Sequence, residues 1–327
     1  MTDVVMSSRG LQRSSLRRFV GNYGQELVVL LTIVLLFVVV GSYNPRFLSE
    51  TNMNSIFSGN AYIAVAAIGM SLVIISGHID VSVGSMIGVI ATMAGTLAVS
   101  GYPVWVAWLV PVVFSVVVNA SVGALVAYMR IPSIVVTLGM LSVLKGGLIS
   151  ATGGAWITDM PPAFMISQWR IFGIGTPVYF MVVLTLLAAL YMRFSGFGRS
   201  IYAVGGNMEA ARAAGLNPER TVVGVFALHG LFAGLAGLLF ATQLQVIQST
   251  VPPNLELTVI TASVIGGVSI LGGTGTVIGS TFAAILFATI GSALIFLNVS
   301  AYWLRSVLGL MILATVLVDM IRRRRST

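Results

Sequence analysis

RFSGFGRSIYAVGGNMEAARAAGLNPER, residues 193–220, is the longest polar stretch inside a chain of 327 residues that is 57% hydrophobic and only 8% charged. Its placement decides the fold, because apolar runs long enough to cross a bilayer lie on both sides of it. Average soluble domains are roughly 45–50% apolar and about 25% charged, so this composition is that of a membrane protein. The stretch carries Arg193, Arg199, Arg212 and Arg220. Short loops rich in arginine stay on the cytoplasmic side because cations resist translocation. Its second half predicts a two-turn helix. Gly205, Gly206 and Asn207 supply a turn, Glu209 complements the positive end of the helix dipole, and Ala210, Ala211, Ala213 and Ala214 favour helix. Gly215 is placed to stop it, with Pro218 just beyond.

Outward from this loop, a hydrocarbon core about 30 Å thick needs roughly 20 apolar residues per helix. Ten such segments can be read, at 27–41, 61–76, 82–99, 104–128, 133–150, 177–192, 221–241, 257–271, 276–297 and 302–320. Arg9, Arg13, Arg17 and Arg18 at one end and Arg322, Arg323, Arg324 and Arg325 at the other place both termini on the same side as the central loop. Six spans before the loop and four after it satisfy that constraint, with Arg130 also inside. The expected fold is an all-α polytopic membrane bundle of about ten transmembrane helices, interrupted by Gly-rich breaks, with cytoplasmic N- and C-termini. Residues 1–26 form a cytoplasmic segment, 27–320 the transmembrane domain with its loop at 193–220, and 321–327 a basic tail.

Composition also excludes function classes. With no Cys and two His, the chain offers neither a disulfide scaffold nor a thiolate metal site. No G-x-x-x-x-G-K-[ST] occurs, so there is no P-loop to cradle ATP phosphates. The two His lie too far apart in sequence to suggest a catalytic cluster. The net charge of +8 comes from basic residues that are all Arg except Lys145 and that gather at the termini and the central loop. That distribution points to a membrane surface and not to nucleic acid.

Residues at membrane depth are the candidate site. Asp80 interrupts an apolar run, and an Asp at the centre of a span costs on the order of 2.5–3.5 kcal/mol on insertion scales. Gly77, His78, Ser82, Gly84 and Ser85 around it read as a helix break, tolerated at depth only where protein or a water path satisfies the backbone. Three roles fit Asp80: capping the helix that begins at Ser82, near the cytoplasmic interface; lining a translocation path; or relaying protons. A second break, containing Gly266, Gly267, Gly272 and Gly273, has the same character without the acid. Gly84/Gly88, Gly230/Gly234 and Gly275/Gly279 have the spacing of close-packed helix seams, within the bundle or between subunits. Lys145 falls within a span, where it snorkels or pairs. His229 reads as a packed core histidine. Trp156, Trp169 and Trp303 lie at span edges, where aromatic belts form.

Four stretches resemble one known family. EAARAAG (209–215) matches the E-A-A-x-x-x-G coupling pattern of ABC importer permeases. GMSLVIISGHIDVSVGS (69–85), GRSIYAVGGN (198–207) and ELTVITASVIGGVSILGGTGTVIG (256–279) are similar to blocks of the ribose-type monosaccharide permeases, in order and spacing, over residues from about 60 to 320. His78 departs from the family, which usually has Gly there. It is either a tolerated variant beside Asp80 or a substrate contact.

The resemblance implies a bacterial inner-membrane permease subunit that pairs with a second copy or a paralogue. A cytoplasmic ATPase would hold ATP and Mg, a solute-binding protein would dock outside, and a small sugar-like substrate would be carried. No cofactor is expected on this chain. Gly198, Arg199, Gly206, Asn207, Glu209, Ala210, Ala211 and Gly215 would couple to the ATPase. His78, Asp80, Ser82, Gly84, Gly266, Gly267, Gly272 and Gly273 would form the path or gate. The segment 153–175 would offer the outer docking surface. Ribose, another pentose or hexose, a sugar alcohol or a furanosyl signal molecule all fit as cargo. The competing expectation is an ion-coupled secondary transporter that uses Asp80.

Overall fold

The computed structural model describes residues 6–324 apart from 244, 251 and 301. Arg9, Arg13, Arg17, Arg18 and Arg322 to Arg325 lie outside the residues whose side chains are described. Thirteen α-helices run through the described residues. The first seven are α1 (Met6–Tyr43), α2 (Glu50–Phe57), α3 (Ala61–Ile75), α4 (Val83–Val99), α5 (Val104–Met129), α6 (Ser133–Thr152) and α7 (Thr176–Phe194). The central loop holds α8 (Gly196–Gly206) and α9 (Met208–Ala213). After it come α10 (Pro218–Ala241), α11 (Leu255–Ile265), α12 (Val277–Phe296) and α13 (Trp303–Arg324). Two-residue strands β1 (Trp156–Ile157) and β4 (Ile247–Gln248) pair antiparallel, as do β2 (Arg170–Ile171) and β3 (Ile174–Gly175).

All ten expected apolar segments carry helix, but they are not ten equal spans. Among the described residues, seven stretches are long and apolar enough to cross a membrane: Gly24–Tyr43, Glu50–Ile75, Val104–Met129, Ser133–Thr152, Thr176–Phe194, Pro218–Ala241 and Val277–Phe296. Val83–Val99 and Leu255–Ile265 are shorter apolar helices. The expected span at 257–271 ends at Ile265 because Gly267, at φ +102°, turns the chain out of the helix. α1 runs unbroken from Met6 to Tyr43, and its apolar part begins at Gly24.

The centre of the bundle is α3, of which every residue but Tyr62 is buried. It is apolar all round and therefore needs neighbours on every side; α10, α11, α12 and α7 supply them. Close approach of α10 to α5 is set by small residues. A Cβ on Gly230 would lie 2.6 Å from Ser115 O, and one on Gly234 3.0 Å from Val112 Cα. The pair Gly230/Gly234 is thus a seam inside the bundle. The outer faces of α1, α5, α6 and α7 expose large apolar side chains such as Leu35, Val117, Val135 and Leu187, as lipid-facing helices do.

Candidate coupling and gating site

The central loop is more helical than its glycines suggest. Gly205 and Gly206, expected as a turn, are the last two residues of α8. Local propensity disfavours them there, and packing overrides it. A Cβ on Gly205 would sit 1.8 Å from Ile75 O and 2.9 Å from Gly273 N. Only glycine lets the end of α8 rest on the backbone of both. Ser195 caps α8 by accepting from Gly198 N at 2.8 Å. Gly198 itself is pressed against Met192, whose carbonyl oxygen would lie 2.4 Å from an added Cβ.

The next helix follows after a single residue. Asn207 caps α9 through Oδ1, which accepts from Ala210 N at 2.9 Å. Gly215, at φ +86°, ends it. Its N–H donates to Arg212 O, and the Leu216 N–H donates to Ala211 O, the paired bonds of a Schellman cap. The outward face of α9 is bare. Met208, Glu209, Ala210, Arg212 and Ala213 are exposed, and Ala211 alone is buried. Arg212 Nη2 reaches Glu219 Oε1 at 2.5 Å, tying α9 to the first turn of α10. The Arg199 side chain donates from Nη1 to Phe194 O at 3.2 Å.

The first break, residues 76–82, begins with the same device. Gly77, at φ +87°, donates to Ile74 O and His78 N donates to Val73 O. The chain then passes beside α6, where Ile79 N donates to Ser133 Oγ at 3.2 Å and Val81 N to Thr137 Oγ1 at 3.1 Å. Asp80 is fully buried. Its Oδ1 accepts from Ser82 N at 2.7 Å and Ser82 Oγ at 2.6 Å, closing the turn into α4. Its Oδ2 lies 3.2 Å from Nε2 of His229, which is also fully buried.

That separation is ion-pair distance, but the alignment is off a hydrogen bond. Oδ2 and both ring nitrogens therefore lack a hydrogen-bond partner among the described residues. Asp80 lies beside His229 of α10, about 17 Å along that helix from Pro218. His78 is half-buried, with its ring centroid 6.2 Å from that of Phe226.

The second break, residues 266–276, repeats the opening cap. Gly267 N donates to Val264 O and Val268 N to Ser263 O. It lacks an acid of its own but recruits one from α1. Thr276 Oγ1 donates to Glu26 Oε1 at 2.6 Å and accepts from Gly279 N at 3.2 Å, while Gln25 Nε2 donates to Ile265 O at 3.1 Å. Tyr202 of α8 donates to Gly275 O at 2.8 Å.

The two breaks meet. Gly273 N donates to Ile75 O at 2.8 Å, and a Cβ on Gly272 would lie 2.9 Å from Gly77 Cα and 2.7 Å from Gly205 O. Gly77, Gly205, Gly206, Gly272 and Gly273 thus converge in one backbone-to-backbone contact. Gly84 stands apart from it, under Glu256, whose Oε2 would be 2.5 Å from an added Cβ.

Sequence reading missed the Asp80–His229 pair, Glu26 and Gln25. A lone buried-looking His and an acid near the N-terminus gave no local signal of their partners. Lys145 is exposed on α6 and makes no ion pair among the described residues. Trp156, Trp169 and Trp303 are all more than half exposed, at 65%, 52% and 60%. The stretch 153–175 is no loose connection. Phe164 is fully buried in it, and β1 pairs with β4.

Comparisons with known proteins agree in direction. The family described as branched-chain amino acid transport system / permease component matches residues 52–316. The autoinducer 2 import system permease protein LsrC of Salmonella typhi is 37% identical over 303 residues, covering 92% of this chain and 87% of that one. The protein of the same name from Escherichia coli O9:H4 (strain HS) is 35% identical, covering 92% and 88%. No solved structure matches the chain.

Proposed function

Since this chain belongs to the branched-chain amino acid transport system permease family and is a multi-pass inner-membrane permease, we propose that it is the translocating subunit of an ATP-driven importer for a monosaccharide-like solute. In this reading ATP and Mg bind a separate cytoplasmic ATPase. A solute-binding protein delivers the cargo on the other side, and a second permease copy or paralogue completes the path. Both termini and the α8–α9 loop face the cytoplasm, and ten segments cross or enter the membrane. The curated relatives named for autoinducer 2 import favour a small sugar-like cargo over an amino acid.

The observation that carries the proposal is the exposed, doubly capped helix α9, joined through α8 to the glycine contact at both breaks. A helix this short is marginal alone. Its caps at Asn207 and Gly215 and its tie to Glu219 give it a fixed shape for a partner to push. Displacement of α9 would move Gly205 and Gly206, and so bear directly on Ile75 and Gly273. The backbones touch with no side chain between them, so little motion is lost to rotamer changes. Asp80, Ser82 and His78 would then act as parts of the gate and not as proton carriers.

Glu209→Lys tests this. Glu209 makes no contact whose loss would unfold the bundle, so membrane insertion and thermal stability are expected to stay within about 0.5 kcal/mol of the parent. Uptake by the reconstituted complex should fall by at least about tenfold while the ATPase retains basal hydrolysis, an uncoupling that corresponds to about 1.4 kcal/mol. Undiminished ATP-dependent uptake in this variant would count against the docking role.

A further inference from the structure

At the end of α10 farthest from α9, about 36 Å away along the helix, a cavity of about 550 Å³ opens over the outer end of the central helix α3. That volume lies in the range of small-ligand pockets. Every one of its ten lining residues is polar or glycine, in a chain that is 57% hydrophobic. Its one charged residue, Arg170, is already engaged at 2.7 Å by Glu50 Oε1. What remains is a neutral surface of amides and hydroxyls.

Several of those groups are half used. Ser58 Oγ donates to Asn54 Oδ1 at 2.8 Å, Asn60 Nδ2 to Ser55 O at 3.0 Å, Gln243 Nε2 to Gly59 O at 3.0 Å and Gln168 Nε2 to Gln243 O at 3.3 Å. Each amide is therefore held in place by one end. Asn54 Nδ2, Asn60 Oδ1, Gln168 Oε1 and Gln243 Oε1 carry no hydrogen bond among the described residues. One donor and three acceptors, pre-oriented by their own partners, belong to the lining of a volume whose one charged residue is paired. The glycines keep it open. A Cβ on Gly175 would lie 2.4 Å from Ser58 Oγ and 3.2 Å from Asn54 Oδ1, and one on Gly59 3.3 Å from Gln243 Nε2.

We infer that this cavity is an acceptance site for a neutral polyhydroxylated solute, which trades the hydrogen bonds of its hydroxyls from water to Asn54, Asn60, Gln168 and Gln243. The inference rests on the import reading above and adds where the cargo first meets the permease. Anionic solutes are disfavoured because no unpaired cation lines the site. Amino acids are disfavoured because nothing there matches a carboxylate and an ammonium together.

The chain has no cysteine, so Ser55→Cys supplies a single thiol on the cavity lining, apart from the four binding side chains. In proteoliposomes holding the full complex, a membrane-impermeant maleimide should label it, and D-ribose, xylitol or D-glucose at about four times its dissociation constant should slow labelling by about fivefold, the factor 1 + [L]/Kd by which occupancy depletes the free site. D-ribose 5-phosphate should not. Adding Asn54→Leu should abolish the protection, and Gly175→Ala should do the same. Asn54→Leu keeps the test readable if Gly175→Ala does not assemble. Labelling unaffected by all three neutral probes, or slowed equally by the phosphate ester, overturns the inference. So does loss of ATPase stimulation by the binding protein in Ser55→Cys, which would make the cavity a protein-docking surface. Absence of that stimulation in the parent complex would instead refute the import reading and leave the cavity's ligand class standing.

Discussion

The first and second helix breaks begin alike and are held differently. Both follow a buried apolar helix, and both turn at a left-handed glycine, Gly77 or Gly267, with the same pair of capping hydrogen bonds. Beyond the cap they diverge. The first is fastened from inside the bundle, by the buried pair of Asp80 and His229 and by the hydroxyls of α6. The second is fastened from α1, by Glu26 and Gln25, and from α8 by Tyr202. The local cap fixes only where each helix stops. The side chains that arrive from distant helices determine what would move each break. The first is tied to α10, which follows α9, and the second to α8, which precedes it.

Three substitutions break or sharpen this contrast. The largest effect is expected at the contact the breaks share. In Gly205→Ala the new Cβ meets the Ile75 carbonyl at 1.8 Å, and backbone cannot rotate away. A loss above about 4 kcal/mol is expected, seen as failure to recover a monodisperse permease from the membrane. A well-behaved Gly205→Ala protein would mean that α8 does not rest on α3.

Next comes the buried contact of Asp80 with His229 at the first break. Asp80→Ala strands His229 and the Ser82 N–H in a dry interior. Removing one partner of a buried pair costs about 3–5 kcal/mol, measurable as a lowered unfolding midpoint in detergent. The double variant Asp80→Ala/His229→Ala should cost less than the sum of the singles by more than about 0.5 kcal/mol. Additive costs would separate the two residues energetically and reduce the first break to its cap. Smallest is the second break. Thr276→Ala removes the hydroxyl that caps α12 and meets Glu26, at an expected cost of about 1 kcal/mol. A loss as large as that of Asp80→Ala would erase the asymmetry.

Much of this was legible locally. The apolar runs marked every long helix, because burying or immersing them in lipid needs only composition and length. Asn207, Glu209 and Gly215 marked α9, because capping is a matter of residues three or four apart. Gly77 and Gly267 marked the breaks for the same reason. Gly205 and Gly206 misled, since a helix-ending dipeptide in isolation became a helix end pressed into backbone. The missing acid of the second break was also not local, for Glu26 is 250 residues from Thr276 in the chain. The outer cavity left no mark at all, its polar residues being scattered over three separated segments.

The sequence by itself determined a membrane bundle, its arginine-rich loop, the capped helix α9 and two glycine breaks, since each depends on composition or on neighbours within one or two turns. The tertiary structure alone decided that Asp80 meets His229, that five glycines from three breaks and loops share one backbone contact, and that amides converge on an outer cavity. Those pairings join positions far apart in the chain. They are selected by which helices pack around α3 and in what register, and no local propensity carries that information.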